Sequence, residues 1–148
     1  MSHQHATPDR LRPIVEGLGW GGILPFLMLP LVSIIALPAQ LTPLLIAYCL
    51  LILSFLCGTL WMEAILGHRA TTWRVLASNL ILLGAWPAIL LPLPGAASLL
   101  ALGFAVHLWL DAPWQQTIHA PWYRRLRLRL SSLATALLVI TALLGAFL

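Results

Sequence analysis

The sequence predicts an all-α integral membrane protein, a five-helix transmembrane bundle. Three observations carry that reading: long stretches without charge, arginines gathered at alternate span ends, and tryptophans gathered beside them. The chain of 148 residues is 61% hydrophobic and 8% charged, whereas soluble domains are about 25% charged. Its mean hydropathy is +0.96. No Asp, Glu, Lys or Arg occurs in the 46 residues from Gly17 to Met62, the 36 from Val75 to Leu110, or the 19 from Leu130 to Leu148. A spanning helix needs about 20 apolar residues, rising about 1.5 Å per residue across roughly 30 Å of hydrocarbon. The three stretches therefore hold two, two and one spans.

Residues 1–16 read as a polar, disordered tail and 17–148 as the membrane domain. The first span is expected over 18–37, with Pro25 and Pro30 inside it. Proline removes a backbone donor, but in membranes neighbouring groups satisfy the freed carbonyls. The uncharged turn from Pro38 to Pro43 leads to a second span over 44–66, closed by Gly67, His68 and Arg69. A third follows over 73–91, with Pro87 near its far end. Pro92-Leu93-Pro94-Gly95 reads as a break. The fourth span, 96–110, is short, and the fifth covers 130–148.

Arginine placement fixes the count. Arg10 and Arg12 precede the first span, Arg69 and Arg74 bracket the loop between the second and third, and Arg124, Arg125, Arg127 and Arg129 precede the fifth. Five spans put all eight arginines on one side. The positive-inside rule makes that side cytoplasmic and the C-terminus periplasmic. Trp20, Trp61, Trp73, Trp109, Trp114 and Trp122 cluster near the same ends, as an interfacial belt does, while Trp86 lies toward the other face. Arg10, Arg12 and the apolar run after them resemble a signal peptide. The run is long for one, and no small-x-small cleavage site follows it, so retention is expected.

The pI near 10.1 comes from arginines that flank apolar segments, which explains them without nucleic acid as a partner. Cys49 and Cys57 lie eight residues apart on one span, too far for a disulfide, and read as buried free thiols.

Few residues offer chemistry. Glu63 stands about one turn inside the second span, where an ionisable group is a functional hypothesis by default. Pairing with Arg69 or Arg74 is the simpler account. His107 and Asp111 are four apart on the fourth span and share a helix face. The carboxylate can orient the imidazole, as in a general base or a supported ligand, or merely satisfy a lone histidine. Replacement of His107 is expected to leave folding largely intact. No ligand spacing points to a metal, and no cofactor is expected. Arg69, Arg74, Arg124, Arg125, Arg127 and Arg129 read as headgroup and topology residues; the last four sit in a basic, aromatic juxtamembrane segment beginning Trp122-Tyr123. Gly17 with Gly21, Ser54 with Gly58, and Gly84 with Ala88 are small residues four apart. Together with Gly103, they are expected to pack helices closely, within the bundle in preference to a partner.

At particular residues the chain resembles a known family. Gly17-Leu18-Gly19-Trp20 followed by Pro25-Phe26 looks like its first-span motif. Tyr48, Ile52-Leu53-Ser54-Phe55-Leu56, Gly58 and Trp61 look like its second. Gly103-Phe104, Asp111, Pro121-Trp122-Tyr123 and Leu126-Arg127 look like its closing motif. Together these resemble the membrane proteins of domain of unknown function 3429, which include mitochondrial transmembrane protein 69. The resemblance covers nearly all of the chain after residue 17. It implies a five-span inner-membrane protein in a bacterium and carries no activity. Members tend to have Gly-Gly after Ser-Phe-Leu and often a basic residue before the Trp; here Cys57-Gly58 and Leu60 stand in those places.

The function expected from these features is a structural, accessory or assembly component of a larger membrane complex, with that complex and the lipid bilayer as partners. The alternatives are a small oligomeric transporter or channel, and an interfacial membrane enzyme using Glu63, His107 and Asp111. A transporter needs a polar path, for which the spans offer little beyond Ser33, Ser54, Thr59, Asn79 and Thr135. An enzyme needs its three residues to converge at one pocket.

Overall fold

The computed structural model describes residues 7–35, 38, 40–65, 72–111 and 121–147, with the backbone described for 7–9, 63 and 64. The described helices are α1 (Thr7–Gly21), α2 (Leu24–Ile34), α3 (Leu41–Ile65), α4 (Thr72–Ala85) with a 3-10 segment at Trp86–Leu90, α5 (Leu93–Asp111) and α6 (Pro121–Phe147). No strand occurs among the described residues. Five stretches are long and apolar enough to cross a membrane: Arg10–Ile34, Leu41–Met62, Thr72–Leu90, Leu93–Asp111 and Pro121–Phe147. Their number and order are those read from the sequence.

The boundaries differ in instructive ways. Helix begins at Thr7, so residues 7–16 are not the irregular tail expected. Pro8 is tolerated in a first turn, and Arg12 Nε donates to Glu16 Oε1 at 2.9 Å, an i,i+4 pair that supports the helix. The first span is α1 and α2 joined through Gly22 and Ile23. Pro25 cannot donate there, and the Tyr48 hydroxyl donates to the Gly22 carbonyl at 2.9 Å, supplying a partner at the irregular step. The expected break from Pro92 to Gly95 shrinks, because α5 already starts at Leu93 and Pro94 falls in its first turn. Helix α6 starts at Pro121, nine residues ahead of the expected span. All four of its arginines are therefore helical.

Helix α5 is the central one: 44% of its most apolar stretch is buried, against 17–33% for the other spans. Its residues Ala96, Ala97, Leu100, Gly103 and Phe104 face the core. Phe26 of α2 stands edge-on to Phe104 at 5.5 Å between ring centres and to Tyr48 at 6.0 Å. Helix α3 turns Leu45, Cys49, Leu53, Cys57 and Leu60 inward. Both cysteines are free and buried.

Two glycines set the close approaches of α5. A Cβ on Gly103 would stand 3.0 Å from Leu53 Cδ2, and one on Gly145 would stand 2.6 Å from Pro94 Cγ. The second is the tighter constraint, since a proline ring cannot swing aside.

Candidate functional site

A linked set of polar side chains lies at the end of the bundle where α1, α4 and α6 begin and α3 and α5 finish. Asp111, the last residue of α5, accepts from Arg127 Nε through Oδ2 at 2.7 Å. Arg127 Nη2 donates to Thr59 Oγ1 of α3 at 2.5 Å. His107, one turn before Asp111, bonds through Nε2 to the Leu56 carbonyl of α3 at 3.0 Å. A carbonyl only accepts, so Nε2 carries the proton. Arg74 of α4 donates to the Leu110 carbonyl at the end of α5, where a cation suits the helix terminus. Trp61 Nε1 donates to Ser78 Oγ at 3.1 Å, tying α3 to α4. Four helices are thus cross-bonded within about two turns.

The network is dry. His107 and Asp111 are each 1% exposed, and Arg127 is 6% exposed. A buried pair of this kind is costly to break, because removal of one partner leaves an uncompensated charge. What it does chemically is lock helix register.

Several expectations need correction. Arg74 and Arg127 were read as headgroup residues, yet both are buried. The reason lies in helix periodicity. Arg127 heads the inward face of α6 formed by Ser131, Ala134, Leu138 and Thr141, and Arg74 stands four residues before Ser78 and eleven before Ala85 on that of α4. Spacings of three and four residues put each arginine under its own helix. That pattern was the signal that could have found them. Arg125 and Arg129 point outward as expected, Arg124 is half-buried, and Arg69 lies outside the described residues.

The small-residue faces also divide. Gly103 is packed, but Gly17, Gly21, Gly58 and Gly84 meet nothing within 4 Å, and Ser54 is exposed. On α3 the inward residues are Leu53 and Cys57, so Ser54 and Gly58 are each rotated by about 100° from the core. Gly19 and Gly145, which do pack tightly, were not singled out. His107 is enclosed and hydrogen-bonded across to α3, so its removal would open a cavity, contrary to the mild effect expected.

Glu63 belongs to α3, but its side chain lies outside the described residues, as do His68, Trp114 and His119. Its convergence with His107 and Asp111 therefore falls there too. No three His, Cys, Asp or Glu residues come together as a metal site among the described residues. The remaining polar groups of the spans mostly bond to their own helix. Ser33, Thr59, Asn79 and Thr135 donate to the carbonyls of Leu29, Leu56, Val75 and Ser131.

Two cavities lie beside α6; Arg127 lines the second, and His107 and Asp111 line neither. One is polar, about 300 Å³, between α1 and α6. The other is apolar, about 330 Å³, between the first span, α3 and α6.

The described residues form an all-helical bundle with five stretches long and apolar enough to cross a membrane, as in a multi-pass membrane protein. Residues 12–143 match the family model described as a protein of unknown function, DUF3429. The chain belongs to that family. No curated protein and no solved structure matches it.

Proposed function

We propose that this chain is a structural, accessory or assembly component of a larger membrane complex. It is placed in the inner (cytoplasmic) membrane of a bacterium, with its N-terminus cytoplasmic and its C-terminus periplasmic. The observation that carries the reading is that His107, Asp111, Arg127 and Thr59 bond to one another or to backbone carbonyls between helices. An enzyme or transporter would turn such groups toward a cavity, whereas His107, Asp111 and Thr59 line neither cavity, and Arg127 borders one whose walls are mostly apolar. The span hydroxyls, bonded to their own helices, likewise form no continuous polar path.

A second feature supports a partner. Gly17, Gly21, Ser54, Gly58 and Gly84 present small surfaces on the outside of the bundle, where another helix can approach closely. Lipid would fill such shallow faces as well, so the test must look for the partner itself. Native mass spectrometry of the protein, purified gently from its own membrane at its own expression level, is expected to give a stoichiometric complex with a different chain. A lone chain or a pure homo-oligomer would overturn the reading.

A further inference from the structure

We propose that the bundle binds one anionic phospholipid specifically, with its headgroup held by Arg12, Arg125 and Arg129 and one acyl chain lying in the groove between the first span and α6. The polar cavity is lined by those three arginines and one carboxylate, Glu16. Three arginines against one glutamate leave a net charge of +2. Glu16 holds Arg12 at 2.9 Å, and the Arg12 guanidinium also stands 5.7 Å over the Trp122 ring. These contacts orient Arg12 toward the cavity. Arg125 and Arg129 are four residues apart on the exposed face of α6, hence neighbours on one side of the helix. Guanidinium groups suit the paired oxygens of a phosphodiester.

The apolar groove begins where this cavity ends, since Leu126 lines both. Its walls are mostly apolar, with Leu18, Ile23 and Phe26 of the first span, Phe55 of α3, and Leu130 and Ala134 of α6; Arg127, paired with Asp111, borders it beside Ser131. From Leu126 to Ala134 the helix rises about 12 Å. The groove therefore runs from the arginine-bearing end into the apolar part of the span. Trp20 and Trp122 line the polar cavity, at the level that indoles favour.

A cationic cavity continuous with an apolar groove complements a molecule with an anionic head and an apolar tail. A free anion would make no use of the groove, and an apolar helix of a second chain would leave the arginines uncompensated. Basic pockets between helices at one membrane face are a known mode of anionic-lipid recognition. The inference goes beyond the accessory role and stands or falls separately from it.

The test uses the full chain in detergent micelles. It is titrated with phosphatidylglycerol, with phosphatidylcholine of the same acyl chains, and with inorganic phosphate, and bound lipid is counted by native mass spectrometry. One phosphatidylglycerol is expected to be retained in preference to phosphatidylcholine. The pair Arg125→Gln and Arg129→Gln is expected to weaken that retention roughly thirtyfold, at the usual strength of a basic residue beside an anionic headgroup. The pair Arg10→Gln and Arg124→Gln removes the same charge from residues that do not line the cavity and should weaken retention clearly less, since neither side chain lines the headgroup site. Leu18→Trp fills the groove from an exposed position, with every arginine intact, and should reduce retention. Equal retention of the two lipids would overturn the proposal without recourse to any variant. So would equal weakening by both arginine pairs. Displacement of phosphatidylglycerol by inorganic phosphate, with no effect of Leu18→Trp, would make the site one for free anions. A disulfide between two copies of Leu18→Cys in native membranes would give the groove to a second chain.

Discussion

Arg127 stands one turn before Ser131 on the inward face of α6, and Asp111 closes α5 opposite it. Their pair is almost wholly enclosed, so each charge depends on the other for solvation. Asp111→Asn and Arg127→Gln are each expected to destabilise the bundle by about 3–5 kcal/mol. The double variant should cost less than the sum, with a coupling of about 0.5–3 kcal/mol. Detergent-induced unfolding of the four proteins in mixed micelles measures this cycle, and additive effects would deny the pair its role. At this scale the sequence was half legible. The four-residue step from His107 to Asp111 is visible in the chain and does share a face. Their partners, Leu56 and Arg127, lie on other helices, which spacing within one span does not reveal. Arg127 was further hidden beside Arg125 and Arg129, which do face outward, and the half-buried Arg124.

Helix α5 owes its central place to small residues, and the two glycines that matter differ from most of those that spacing picks out. A Cβ on Gly145 would run into the Pro94 ring, whereas one on Gly58 would meet open space. Gly145→Ala is expected to cost about 1–3 kcal/mol through forced displacement of α6 from α5. Gly58→Ala should stay within about 0.5 kcal/mol, as surface changes do. The same unfolding measurement separates them; an equal effect at both sites would contradict the packing described. Small residues four apart are a necessary feature of a close helix crossing, but they do not say which way the face points. The inward register of α3 is set by Leu53 and Cys57, one residue from Ser54 and Gly58. Span ends were blurred for a related reason. Pro94 reads as part of a break in the chain, yet it falls in a first turn, where a missing donor costs nothing.

Across the whole molecule, the spans were legible because charge is so costly in hydrocarbon that its absence marks them. Three charge-free stretches and eight arginines lead to five helices, and the structure has five stretches of suitable length and apolarity. The cross-bonds of Arg74 and Arg127 bring the starts of α4 and α6 to the ends of α3 and α5, and the stacking of Arg12 on Trp122 adds the start of α1. The arginine-bearing ends therefore share one face of the bundle, as an odd number of antiparallel spans requires. Which face of the membrane that is follows from the positive-inside rule alone. The most direct measurement fuses two reporters after Leu148 in turn, one active only in the periplasm and one fluorescent only in the cytoplasm. The account predicts activity of the periplasmic reporter and a dark cytoplasmic one. The reverse pattern would contradict five spans with a cytoplasmic N-terminus.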